Sequence, residues 1–257
     1  MSALSLEFLG TGTSQGVPVI GCGCSVCTSS NPKDQRLRTS ALVRSESGTV
    51  AIDCGPDFRQ QMLRAGVNQL DAVVLTHEHM DHVSGLDDLR ALQFLQKRPT
   101  AIYCSERVEL RLRQQFAYAF SEKPFLGAPQ FELHRIQAGV PFDLAGETWM
   151  PFVVVHGTLP VLAFRIQSMV YITDASAIPD ESWIHVKNAR HLVLNALRIE
   201  PHYSHFHLAQ ALEIAQKASA RNTWFTHISH HLGLHQEVDA LLGPGVQLAY
   251  DGLQVSE

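Results

Sequence analysis

This sequence lacks the material for a membrane span, a secretory leader or a disulfide framework. No apolar run approaches the ~18 residues that suggest a spanning helix. The N-terminus, Met-Ser-Ala-Leu-Ser-Leu-Glu-Phe, has no basic stretch ahead of a long apolar segment, so no secretory signal is expected and a cytoplasmic location is the default. Cysteines number only five, three of them crowded between Cys22 and Cys27, which suits a reducing compartment and a metal better than paired disulfides. Positive charge is not in excess either: 20 Lys and Arg stand against 25 Asp and Glu, a net charge of -5. That argues against a surface that grips nucleic acid all over, although a local basic patch is left open. Linker-like composition is absent between the two halves of the 257 residues. One domain over 1–257 with an internal pseudo-repeat is therefore expected, large enough for a substantial core.

The stretch that organises the rest is Ala72-Val-Val-Leu-Thr76 followed by His77, His79, Asp81 and His82. Its first five residues are apolar and β-branched, as in a buried strand. Three imidazoles and a carboxylate then fall within six residues, donors of the kind Zn²⁺, Mn²⁺ and Fe accept. Donors at i and i+2 point the same way from an extended segment, whereas the adjacent Asp81 and His82 diverge. One ion cannot easily use all four, so the spacing predicts two neighbouring metals: His77 and His79 on one, Asp81 and His82 on the other. A second cluster, Cys22, Cys24 and Cys27, has the spacing C-x-C-x-x-C. Three thiolates leave one corner of a tetrahedral zinc empty, and a fourth ligand must come from elsewhere; the loop at 21–28 reads as structural because a closed shell has no place for water.

The remaining donors stand where strands end. His156, Asp174 and His227 each follow an apolar run directly, where their side chains can converge on one rim. Asp53, after Thr49-Val-Ala-Ile52, has two readings: orienting a metal-bound imidazole, or a simple turn or cap. Gly10-Thr-Gly12-Thr-Ser-Gln-Gly16 is a poor dinucleotide fingerprint, since the spacing is wrong and no helix pattern follows, and is read as a tight loop near a site. Residues 31 to 40 read as a solvated connection, Cys54 and Cys104 as packed core thiols, and 121–130, with Pro124, Gly127 and Pro129, as either a lid or an ordinary surface connection. Helices are predicted from Pro56 to Arg64, Gly85 to Leu95, Glu106 to Phe120, Ile178 to Ala189, Leu208 to Ser219 and Gln236 to Leu242. A final strand is placed at Val246 to Tyr250.

The motif His77-x-His79-x-Asp81-His82 resembles the signature of the metallo-β-lactamase superfamily. Its members fold as a four-layer αββα sandwich of α/β (α+β) class, with two mixed sheets and a dinuclear site between them. The resemblance implies that His156 completes the first metal site, His227 the second, and that Asp174 bridges. GTGTSQGVP, the cysteine loop, DCGPD, THEHMDH, YITD and THISH occur in that order, which is similar to the cyclic-phosphate phosphodiesterases of carbon-phosphorus lyase pathways. In those enzymes a late histidine completes the cysteine site, and His230 is the matching residue here. His205, within Pro201-His-Tyr-Ser-His205-Phe-His207, aligns with the family's general acid better than His202 or His207. A histidine suits that role because its ordinary pKa lies near 6.5.

The expected chemistry is hydrolysis of small, cyclic phosphodiesters such as ribosyl or nucleoside cyclic phosphates. Two divalent cations, Zn or Mn, ~3.5–4 Å apart would share a hydroxide, with Asp81 both ligating and positioning it and His205 protonating the leaving oxygen. Alternatives are tRNA 3' processing, against which the missing basic arm counts, and thiolesterase or lactamase activity in the same fold. A role in quinone-cofactor biosynthesis is opposed by the intact histidine motif, and a non-enzymatic zinc-knuckle module by the net acidity. The expected partner is a small phosphodiester rather than nucleic acid or membrane, with a homodimer left open.

Overall fold

Two seven-stranded sheets make up the computed structural model, which describes residues 4–123 and 125–257. The first sheet takes its strands from β1 (Ser5–Gly10), β2 (Ser40–Ser45), β3 (Gly48–Ile52), β4 (Ala72–Val74), β5 (Thr100–Cys104) and β6 (Phe131–Arg135). A short C-terminal strand, β14 (Gln254–Ser256), pairs with β1, so the spatial order is β14-β1-β2-β3-β4-β5-β6. Its companion contains β7 (Phe142–Leu144), β8 (Glu147–His156), β9 (Leu159–Ile166), β10 (Met169–Tyr171), β11 (His191–Asn195), β12 (Asn222–Thr226) and β13 (Val246–Leu248), lying side by side in the order β13 to β7. Each sheet has an antiparallel part and a parallel part: β3 to β6 run parallel in one, β10 to β13 in the other. That repeated plan is the pseudo-symmetry expected from the succession of strands and helices.

Four layers follow from where alternate side chains go. Leu6, Phe8, Ala41, Val43, Val50, Ile52, Ala72 and Val74 pack with Trp149, Phe164, Tyr171 and Val193 between the sheets. Their neighbours Leu9, Leu42, Ala51, Val73 and Ile102 point the other way. There they meet Phe58 and Met62 of α1 (Phe58–Arg64), Val83 of α2 (Met80–Val83), Leu92 of α3 (Arg90–Gln96), and Val108 and Leu112 of α4 (Glu106–Gln115). On the second sheet's outer face Val154, Val170, Leu192, Leu194 and Phe225 pack against Trp183 and Val186 of α5 (Trp183–Val186) and Ala211 and Ala218 of α6 (Leu208–Ala218). Strands covered on both faces read as continuous apolar runs, and each buried Leu, Val or Phe contributes about 1.5–3 kcal/mol.

Several elements differ from expectation. The span 178–189 holds only a 3₁₀ turn at Asp180–Ser182 and the single turn α5. Lys187 is extended and Asn188 takes a left-handed φ of 56°, so Ala189 reaches the core without helix. Residues 84–89 form a 3₁₀ turn before α3, and Gly85 within it lies so close to the Gly55 carbonyl that an added Cβ would approach it to 2.0 Å. The helix from Glu106 stops at Gln115 and gives way to a 3₁₀ turn, and the last helix, α7, covers only His235–Asp239. Three residues are too few for β14 to show alternation.

The 31–40 segment is not a solvated connection. Asp34, Arg36, Thr39 and Ser40 are buried, and Arg36 donates to Thr11 Oγ1, the Ala249 carbonyl and His235 Nδ1 at 2.8, 2.7 and 3.0 Å. A guanidinium is tolerated in an interior where such acceptors meet it. The 121–130 loop packs towards α3, with the Gln130 N–H donating to Gln93 Oε1 and Gly127 beside Phe94; it forms a surface connection. Pro124 lies outside the described residues, as do Met1, Ser2 and Ala3 of the leader region considered above. Among the described residues no helix is long and apolar enough to cross a membrane. Cys54 and Cys104 are fully buried thiols, as expected.

Candidate metal centre

Five strand ends converge on one edge of the sandwich. Asp53 follows β3, His77 and its neighbours follow β4, His156 closes β8, Asp174 follows β10 and His227 follows β12. The backbone turns sharply at these places: Asp53, Asp174 and His227 have φ of 63°, 56° and 54°. Side chains other than glycine avoid that region, at a cost of order 1–3 kcal/mol, and such residues cluster at functional sites.

Donor atoms of His77, His79 and His156 lie within 4.8 Å of one another, and so do those of Asp81, His82, Asp174 and His227. The two groups abut, with the His77 and His82 rings 4.2 Å apart. The structure therefore brings together all seven of these residues, with Asp174 close both to Asp81, His82 and His227 and to His156.

Hydrogen bonds orient the rings. The Asp53 carboxylate accepts from the Thr76 N–H at 2.9 Å, from Thr76 Oγ1 and, at 2.7 Å, from His82 Nδ1. Since the Thr76 hydroxyl gives its proton to Asp53, it accepts from His77 Nδ1 at 2.9 Å. His156 Nδ1 donates to the Ser204 carbonyl at 2.7 Å. With Nδ1 engaged in all three, Nε2 is the ring nitrogen that faces inward. Asp53, held open between two readings, thus reaches both halves of the cluster, directly through His82 and through Thr76 to His77.

The inward atoms fit a cation. His77 Nε2 is buried without a hydrogen-bond partner, an expensive condition unless an ion completes it, while His82 Nε2 and His227 Nε2 face carboxylates. Asp174 reaches His82 Nε2 at 3.2 Å and His227 Nε2 at 3.0 Å. Burial alone would depress His82, but the carboxylates of Asp81, Asp174 and Asp53 hold its pKa well above the ordinary value. His227 is likewise raised to about 9, against burial, chiefly by Asp174. In the bare protein protons occupy the space between carboxylates that a metal would take, and metal binding releases them.

His205 lies against this cluster, its ring centroid 4.6 Å from His156 and 4.8 Å from His227. It is 8% exposed, and its Nδ1 has no hydrogen-bond partner. Burial, with His227 beside it, pushes its pKa down to about 3. His207 is instead the N-cap of α6, bonded to Gln210 Oε1 at 2.7 Å, and His202 sits one ring further out. His156, Asp174 and His205 also form a close set of donors.

A second, smaller cluster is separate in kind. Cys22 Sγ and Cys24 Sγ each lie 3.3 Å from His230 Nδ1, and Cys27 Sγ lies 3.5 Å away. One imidazole nitrogen cannot serve three thiols as a hydrogen-bond partner. The spacing instead suits the edges of a tetrahedron around zinc, about 3.5 Å for ordinary Zn–S and Zn–N bonds. His227 and His230 share one segment, pinned by Ile228 N–H to the Thr11 carbonyl at 2.8 Å and Thr13 N–H to the Ile228 carbonyl at 3.0 Å. The glycine-rich loop thus borders the site by clamping this segment. Gly10 is required there, since a Cβ would come within 1.9 Å of the Arg38 carbonyl.

A family model described as a β-lactamase superfamily domain matches residues 49–228. The chain belongs to that superfamily. Within it the chain resembles the PhnP family: a crystal structure described as a new diphosphatase from that family is 42% identical. That structure superposes with a TM-score of 0.93 over 99% of this chain and 97% of that one. An octanoyltransferase from Porphyromonas gingivalis (strain ATCC BAA-308 / W83) is 42% identical over 248 residues, 96% of this chain but 50% of the relative. Ribonuclease Z from Mycobacterium sp. (strain KMS) is 30% identical over 177 residues, 63% of this chain and 59% of the relative. The chain therefore spans about half the length of the first of these relatives and under two thirds of the second.

Proposed function

We propose that this superfamily member hydrolyses small phosphodiesters, cyclic ribosyl or nucleoside phosphates among them, at the histidine- and aspartate-lined centre. The observation that carries the proposal is the juxtaposition of two abutting donor sets with inward-facing ring nitrogens and carboxylates and a buried His205 against them. His77, His79 and His156 would hold one divalent cation, Zn or Mn, and Asp81, His82 and His227 the other, with Asp174 between them. When bound, such a pair supplies an activated water at neutral pH and offsets charge on a phosphoryl oxygen. Asp81 orients that water, and Asp53 and Thr76 keep the imidazoles aimed. His205 protonates the departing oxygen. Burial alone leaves it neutral, so the phosphate's negative charge must raise its pKa before it carries a proton to give. The cysteine cluster with His230 would hold a structural zinc.

A diphosphate link is a second reading, favoured by the description of the 42% identical structure as a diphosphatase. Its phosphorus also carries two bridging oxygens, and the same residues would act on it. Thioester hydrolysis draws on the octanoyltransferase name of the P. gingivalis relative, half of whose length this chain does not cover.

Turnover after Mn²⁺ reconstitution separates these readings, using cyclic phosphates, dinucleoside diphosphates, thioesters and nitrocefin. Cleavage of the phosphodiesters is expected, and its absence would remove the proposal. His205→Ala should lower kcat on alkoxide leaving groups by ~10²–10⁴ and on nitrophenolate much less, while metal content is kept. Equal losses would argue against proton donation.

A further inference from the structure

Tyr203 is 86% exposed, yet it is held at the rim of the metal centre. A row of rings leads out to it: His205 lies against His156 and His227, His202 is 5.2 Å from His205, and Tyr203 is 4.9 Å from His202. The loop carrying these rings is braced rather than loose. Leu197 N–H donates to the Phe206 carbonyl at 3.0 Å, Phe206 N–H to the Ala175 carbonyl at 2.7 Å, and Leu208 N–H to the Arg198 carbonyl at 2.9 Å. Arg198 bonds the carbonyls of Glu200 and Pro201 at 3.1 and 2.7 Å, and the Ser204 hydroxyl lies 3.3 Å from His202 Nδ1. Across from the tyrosine stands Gly157, next in sequence to His156, with φ of 63°. An added Cβ would lie 3.3 Å from Ser204 Cβ and 3.7 Å from Tyr203 Cε2. The tyrosine ring therefore borders a bare floor beside the cluster, two ring steps out from His205, much as a pentose sets a base away from its phosphate.

We infer that Tyr203, backed by His202, is a stacking platform that selects substrates carrying a planar ring on the group esterified to the scissile phosphate, a nucleobase above all. The inference rests on the phosphodiesterase reading and narrows its substrate class. A ring on a braced loop loses little entropy when it binds, and base–aromatic stacking tolerates any base because each has a π face.

The test compares adenosine 2',3'-cyclic phosphate with glycerol 1,2-cyclic phosphate, which has no ring. In the Mn²⁺-loaded enzyme, Tyr203→Ala should lower the kcat/KM preference for the adenosine substrate by ~10-fold. The loss should fall on KM rather than kcat, and Tyr203→Phe should restore the preference. An equal effect on both substrates, or none, would overturn the platform. Calorimetric binding of AMP gives a readout without turnover: Tyr203→Ala should weaken it by a similar factor, and unchanged binding also overturns the inference. If neither cyclic phosphate is cleaved by any form, the phosphodiesterase reading falls while AMP binding still decides the platform.

Discussion

The two donor clusters lie only three residues apart along one segment, at His227 and His230, but they are built in opposite ways. Around His227 most of the donors are buried and stand at or just after strand ends, and hydrogen bonds to Asp53, Thr76 and Ser204 fix the rings from behind. Around His230 three partly exposed thiols come from a loop without a strand or helix of its own. The backbone holds the first arrangement before any ion arrives. In the second, a metal crosslink would supply much of the order. One centre is therefore expected to lose chemistry when its support is cut, and the other to lose stability.

The sharpest way to break that contrast is at Asp53. Asp53→Ala removes the acceptor for His82 directly and for His77 through Thr76, and should lower metal affinity or activity by ~10–100-fold. Metal titration and kcat of the folded variant check this, and a loss confined to melting temperature would make Asp53 a purely structural turn residue. At the other cluster Cys24→Ser should remove one zinc per chain and lower the melting temperature, while turnover per folded molecule changes severalfold at most. Its thiol pKa, lowered to about 6 by the Cys27 N–H and His230, already favours the thiolate that zinc needs. Zinc content unchanged in Cys24→Ser would mean that the loop orders itself.

How much of this was readable beforehand follows from what each residue needs. His77, His79, Asp81 and His82 sit within one short motif, so local spacing was enough to divide them. His156, Asp174 and His227 were recognisable because an apolar strand runs up to each, and chemistry at a strand end is a local signal too. The double duty of Asp53 was only half legible, since it depends on β3 lying beside β4. Buried Arg36 was misjudged because its acceptors, Ala249 and His235, lie some 200 residues away, beyond any window of composition. Tyr203 gave no signal of its own; its exposure and its place at the rim exist only in three dimensions. The short helix at α5 was overestimated because Ile178, Val186 and Ala189 all reach the core by a path that apolar periodicity cannot tell from a helix.

The buried network around Arg36 sharpens the contrast in a subtler way, since it offers the cysteine loop an anchor besides zinc. The His235 N–H donates to Asp34 Oδ1 at 2.7 Å, and the Ser29 hydroxyl to Asp34 Oδ2 at 2.6 Å. Arginine has only donors, so His235 Nδ1 must accept from Arg36 and the ring is neutral. Burial, then Arg36 and Lys33, lower its pKa to about 4, opposed by Asp239 and Asp34. The folded value lies below the ordinary 6.5, so between these pH values the unfolded chain takes up a proton that the native state refuses. This contribution to stability is whole above pH ~6.5 and is lost as pH falls towards ~4. Asparagine at this position can still accept from Arg36 but does not titrate. His235→Asn should therefore show a shallower fall in melting temperature than wild type between about pH 6.5 and pH 5, a modest effect beside those of Asp53 and Cys24. Identical slopes would mean that the neutral His235 ring contributes nothing to the pH dependence of stability.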